Sequence, residues 1–220
     1  MDAFEAGQAA GLPGNEHVTR FNLQPGWVDL TLNHRSSAQA AGLADAALKR
    51  FNPLERAVTD RDLLDDLVER ALFLNSDEPD LAAAFYTPGG VGLANLRVDS
   101  YGSEDDPRTS PAEVVPLLLD WSNAKVVGEP DVTFLDLDAG PAVRIQAMLK
   151  SKRFLGFGTQ LAEFIKYAVF PPGETYMVVI TTTWQDMAQS DELVRLADEL
   201  VSSMRQVPVD AEGNEVGRNE

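Results

Sequence analysis

Few side chains in this 220-residue chain could do chemistry. There is no cysteine, which removes thiol nucleophiles, disulfides and thiolate metal sites. Two histidines remain, His17 and His34. His34 stands in NHRSS, beside Ser36 and Ser37. A serine triad also needs an orienting acid held close in space, and no G-x-S-x-G elbow occurs. His34 therefore reads as a turn or capping residue, and His17 as part of a terminal tail. The run Asp136-Leu137-Asp138-Ala139-Gly140 opens like a calcium loop, but Ala147 falls where the bidentate glutamate should be. Glu104, Asp105 and Asp106 read as a solvated acidic loop. The GGVG run at 89–92 leads into a strand, so no helix N-terminus would face a phosphate. The GFG at 156–158 lacks the third glycine of a dinucleotide loop. Both read as turns. Adjacent carboxylates such as Asp65 and Asp66 point in different directions on a helix. No catalytic residue, cofactor site or metal ligand is expected.

Two stretches stand out as binding surfaces. The first is Thr181-Thr182-Thr183-Trp184, which closes the apolar run TYMVVITTTW. In a strand, Tyr176, Val178, Ile180, Thr182 and Trp184 share one face, and Met177, Val179, Thr181 and Thr183 the other. If Thr181 and Thr183 line an open sheet face they belong to a binding surface; under helices they are scaffold. Trp184 is expected to pack under the last helix, near Leu193 or Ala197. The second stretch is the basic cluster Lys150, Lys152 and Arg153, which reads first as a solvated strand end and otherwise as a contact for an acidic partner. Thr181, Thr183, Trp184, Lys150, Lys152 and Arg153 are the candidate partner-binding residues.

The charge balance narrows the partner. With 18 basic against 35 acidic residues, the formal net charge is -17. Such a surface repels phosphate backbones and anionic membranes, so no nucleic-acid partner is expected. No stretch approaches the roughly 18 apolar residues of a membrane span. The N-terminus lacks the basic and apolar regions of a secretory signal, and a cytoplasmic location is expected.

The elements that must position these residues follow from periodicity. Residues 1–17 and 208–220 read as tails around one domain at 18–207. VTRFNLQPGWVDLTL reads as strand, Pro-Gly turn and strand. SAQAAGLADAALKRF is alanine-rich and helical, and Pro53 lies beyond its end. Thr59 or Asp60 caps a second helix with the stripe Leu63, Leu64, Leu67, Val68, Ala71 and Leu72. LAAAFYT and VGLANLRVDSY flank Pro88-Gly89-Gly90 as a hairpin. Ser110 caps a short helix that extends through SPAEVVPLLLDWSNA, with Pro111 at its first position. PDVTFLDLD and AVRIQAMLK form a second hairpin, then TQLAEFIKYAVF pairs with TYMVVITTTW across Pro171-Pro172-Gly173. The last helix runs from a Ser190 cap to Arg205, with Leu193, Leu196, Ala197, Leu200, Val201 and Met204 buried. Hairpin-joined strands with grouped helices define an α+β fold.

Three of these pieces resemble the Mog1/PsbP-like family of small α+β domains. FNLQPGWVDLTL is similar to its opening strand, Pro-Gly and Trp hairpin. FIKYAVFPPGETYMVVITTTW is similar to its penultimate hairpin, and SDELVRLADELVSSMRQ, ending in Ser203-Met204-Arg205, to its last helix. The resemblance spans about 18–207, with an extra helical segment after the first hairpin, at about 37–75. It implies an antiparallel sheet packed by helices. Family members are mostly adaptors, among them nuclear transport factors, photosystem extrinsic subunits, bacterial lipoproteins and chaperones of secretion effectors. They share no catalytic set to carry over. The expected function is a non-enzymatic adaptor or chaperone-like subunit of a larger assembly, such as a secretion assembly, that binds another protein on an open sheet face. The alternatives are a ligand-binding protein or enzyme with a pocket between sheet and helices, and a structural subunit of a larger particle.

Overall fold

The structure is a computed structural model and describes residues 16–102, 108–152, 159–210 and 215. Among these the order is β1 Glu16–Arg20, β2 Trp27–Asp29, α1 Ser37–Leu48, α2 Asp60–Leu74, β3 Leu81–Tyr86, β4 Gly92–Tyr101, α3 Pro111–Leu118, β5 Ala124–Leu137, β6 Gly140–Lys152, β7 Thr159–Val169, β8 Met177–Trp184, a 3-10 turn Met187–Gln189, α4 Ser190–Ser202 and β9 Arg205–Val209.

The helices start where their chemistry places them. Ser36, Thr59 and Ser110 each accept a backbone N–H at an N-terminus, and Ser110 forms a reciprocal capping box with Glu113. α2 buries Leu63, Leu67, Ala71 and Leu74 and leaves its acidic side in water. α4 buries Leu193, Leu196, Ala197, Leu200 and Val201.

The strands form a 7-stranded antiparallel sheet in the order β2-β3-β4-β8-β7-β6-β5, and β1 pairs with β9 in a separate 2-stranded sheet. The main sheet is assembled from two halves. β2, β3 and β4 come first; β5 to β8 then run as a meander from the far edge back to the middle, where β8 pairs with β4 from Ala94↔Trp184 to Tyr101↔Met177. Each half carries its own helices on one face. α1 and α2 pack on Val28, Ala82, Ala84 and Tyr86. α3 packs on Val143, Ile145, Phe164, Ala168 and Val179. On the other face α4 spans both halves, covering Leu96 and Val98 of β4, Ile180 and Trp184 of β8, and Ile165 and Tyr167 of β7.

The α+β class and the antiparallel sheet packed by helices hold, as does the helical segment after β2. Several local expectations change. The Pro-Gly turn forms, with Gly26 at φ 99 and Trp27 N–H donating to Gln24 O at 3.1 Å. It does not close a hairpin: β1 pairs with β9 and β2 with β3. Positive φ at the third turn position only is type II geometry, which splays the flanking segments. His17 lies in β1 and Pro208 and Val209 in β9, so these residues, expected in the tails, belong to a strand pair. α3 stops at Leu118, and Ala124, expected at the end of that helix, opens β5. Pro116 inside α3 cannot donate to the preceding turn, which favours an early end. Arg205 lies in β9 rather than α4. Ser190 does not cap α4; its hydroxyl accepts the Trp184 indole N–H at 2.9 Å and donates to Glu163.

Candidate functional site

Neither sheet face is wholly open, which corrects the expectation of a free face opposite the helices. What the described residues leave uncovered is the seam between the halves on the face shared by α2 and α3. The reason lies in the connectivity: each of these helices packs on the half to which its own sequence neighbours belong. α4 alone bridges the seam, and it lies on the opposite side.

The floor of this groove comes from three central strands. β4 contributes Asn95, Arg97 and Asp99, whose neighbours Ala94, Leu96 and Val98 point to α4. β8 contributes Thr181 and Thr183, and β7 contributes Lys166. The register puts Arg97, Thr181 and Lys166 in one cross-strand row, with Asn95, Thr183 and Phe164 in the adjacent same-face row. At ~4.8 Å per strand, the row spans roughly 10 Å from Arg97 to Lys166.

The charges on the floor are arranged individually. Arg97 grips Asp99 through Nε at 2.9 Å and Nη2 at 2.7 Å, and reaches Asp77 through Nη1 at 2.7 Å. Burial disfavours its charge, but the bonds to Asp99 and Asp77 outweigh that and hold the guanidinium above its ordinary range. Burial raises the Asp99 carboxyl despite the contact with Arg97, whereas the bond from Arg97 lowers that of the more exposed Asp77. At the α2 wall, Arg70 donates to Asp66 at 2.8 Å and to Asn95 Oδ1 at 2.7 Å. Its guanidinium lies so close to β4 that a Cβ on Gly92 would stand 2.8 Å from Cζ.

Lys166 sits at the α3 wall. Its Nζ donates to Leu118 O at 2.9 Å, one of the carbonyls that the last turn of α3 leaves unpaired. The ammonium lies 3.9 Å from the centre of the Trp121 ring, and Trp121 packs edge-on against Phe164. Burial brings its pKa down to about 8 against weaker upward pulls from Asp99 and Asp120. No carboxylate stands within ion-pair distance of it among the described residues.

One end of the groove deepens into a recess of about 310 Å³ lined by Arg70, Gly92, Asn95, Ala162, Thr183 and Gln185. A wider depression of about 660 Å³ lies between Asn22, Gln24 and the outer side of α4. It is open to solvent, and its Arg195 is already bound to Glu192 and Glu199 of the same helix.

The expected site residues separate accordingly. Thr181 and Thr183 line the groove. Trp184 is 2% exposed and packs with Leu193 and Ala197 on the α4 side, and it meets Thr183 only at the border of the recess. Lys150 is exposed near the end of β6, on the same side as Arg144, which contacts Asp198 of α4; it too lies on the far face. Lys152 ends β6, and Arg153 lies outside the described residues. His34 forms the turn before α1, its N–H donating to Gln39. His17 stands 3.0 Å from Glu174. The GFG run and the Glu104–Asp106 acids also lie outside the described residues. Among the described residues, no three His, Asp or Glu side chains gather into a metal-binding cluster. No helix there is long and apolar enough to cross a membrane.

Sequence reasoning missed Asn95, Arg97, Asp99, Lys166 and Arg70. The alternation in LANLRVDS marked a polar face on β4, and Lys166 interrupts the Phe164–Ala168 face of β7; both signals were present. Which polar faces meet was hidden, because β4 and β8 are about 80 residues apart in sequence.

No family model matches the chain, and no curated protein matches it. Among solved structures it is similar to the solution structure of cyanobacterial PsbP (CyanoP) from Synechocystis sp. PCC 6803, at 10% identity and a TM-score of 0.45, covering 92% of this chain and 98% of that one.

Proposed function

We propose that the chain is a non-enzymatic adaptor that binds a segment of another protein in the groove between α2 and α3. The observation that carries this reading is the uncovered seam: three central strands present polar side chains to solvent between two helices. Thr181 and Thr183 are half-buried there, like Asn95, Arg97, Asp99 and Lys166 beside them, between the parts of that face that α2 and α3 cover. A segment laid along the floor meets donors and acceptors from Asn95, Thr181, Thr183 and Lys166, with α2 and α3 as walls. Helix-walled grooves of this kind recognise peptides through side-chain pockets rather than through strand pairing, since the floor strands are already paired on both edges.

The test is selection of a random displayed peptide library on the wild-type protein, with Thr181→Trp as the counter-selection target. The indole replaces a small side chain between Arg97 and Lys166 on the floor. Peptides that bind wild type and lose binding to the folded variant support the reading. If the selected peptides bind both proteins alike, or none is recovered, the reading is wrong.

The recess beside Arg70 favours a second reading, a small-ligand site. Its volume of about 310 Å³ falls at the lower end of the range for ligand pockets, roughly 300–1,000 Å³. A fragment screen by NMR, read at Asn95 and Thr183, supports it if hits shift these residues and sinks it if hits gather elsewhere.

A further inference from the structure

Resting on the groove reading above, we propose that the docked segment carries one acidic side chain and that its carboxylate binds Lys166. The pairing of charge along the floor carries this inference. Arg97 is paired with Asp77 and Asp99, and Arg70 with Asp66. Lys166 is the floor cation with no carboxylate at ion-pair distance among the described residues; Asp99 and Asp120 act on it only from further away. Its ammonium has three donors. Leu118 O takes one at 2.9 Å, and the Trp121 ring, 3.9 Å away, faces the group without accepting a conventional bond. The Thr181 hydroxyl stands next in the same cross-strand row, so a carboxylate at Lys166 has a second donor beside it.

The surroundings strengthen such a contact. Trp121 and Phe164 displace water around the amine, and a charge pair in that setting is stronger than one in bulk solvent. The overall charge of -17 opposes acids at long range, but that field is screened beyond ~8 Å at physiological salt. The same balance limits the ligand to one acid. Asp66, Asp77, Asp99 and Asp120 rim the floor and repel a second carboxylate.

The test uses peptides recovered by the groove-dependent selection. In each, the acidic residue is replaced by its amide, and affinities are measured on wild type and on Lys166→Met. The expected result is a loss of about tenfold or more on wild type and little change on the variant, the coupling typical of a close interfacial charge pair. On wild type alone, NMR titration of the Lys166 ε-carbon is expected to show its pKa rising when the acidic peptide binds and staying near the free value with the amide. Amide peptides that bind wild type as well as the acids, or losses that simply add, overturn the inference and leave the groove reading intact. A selection that yields no groove-dependent peptide overturns both.

Discussion

Lys166→Met asks whether the groove holds its amine at a cost to the fold. The Lys166 amine falls from 10.5 to about 8 on folding, chiefly through burial. At about 1.36 kcal/mol per pKa unit, keeping the ammonium charged in place costs ~3 kcal/mol gross, and its remaining solvent contact reduces that to about 2 kcal/mol. The bond to Leu118 O and the Trp121 contact offset part of it, on the order of 1 kcal/mol. Methionine keeps the stem and drops the charge, so the variant is expected to be more stable by about 1 kcal/mol near neutral pH. The pH dependence is sharper. Because the folded pKa lies below the unfolded one, the unfolded chain binds the proton more tightly, and stability rises with pH between the two values. The penalty is fully present below about 8 and gone above about 10.5. Urea unfolding of both proteins across this window isolates Lys166, since every other group titrates in both. The variant's advantage should shrink toward zero at the alkaline end, where the neutral amine no longer carries the desolvation cost and loses its cation–π contact with Trp121 as well. A gap that stays constant with pH, or widens as pH rises, refutes the account of Lys166 as a desolvated cation.

Three further outcomes test the scaffold around the groove. Asn75 is 1% exposed and ties the end of α2 to the chain after β2, accepting from Leu32 N–H and donating to Leu30 O and Ala71 O. Asn75→Ala leaves those groups buried without partners, and chemical denaturation should show a loss of about 2–4 kcal/mol. Thr182 is 1% exposed, and its hydroxyl has no partner among the described residues. Thr182→Val keeps the shape and should gain about 1 kcal/mol by the same measurement. Gly92→Ala drives a methyl group into Arg70 and should displace the guanidinium from Asn95, seen as a chemical-shift change at Arg70 Nε with a loss of about 1–2 kcal/mol.

The element list was largely legible in the sequence because it depends on local physics. The Thr59 and Ser110 caps, the apolar stripes of α2 and α4 and the turn at Pro171-Pro172-Gly173 are set by residues within a few positions of one another. So is the alternation of Ile180, Thr182 and Trp184 against Thr181 and Thr183. Even the burial of Trp184 under α4 was readable from that alternation and the neighbouring helix. What went wrong locally was chain pairing at β1, because a Pro-Gly turn shows where the chain bends and not which strand each arm joins.

The groove was not legible for a different reason. Whether Thr181 and Thr183 face solvent depends on which strand lies beside β8 and on where helices from distant segments stop. The β4–β8 pairing closes a sheet built from two halves, and α2 and α3 each cover only their own half. That arrangement brings Arg97, Thr181 and Lys166 into one row from three strands that share no sequence motif. The sequence alone determined the α+β elements, the acidic surface and the alternating faces of each strand, since these follow from the chain's immediate neighbours. Only the tertiary structure decided which of those faces the described residues leave open and which charge on it has no carboxylate partner among them, because both are set by contacts between distant segments.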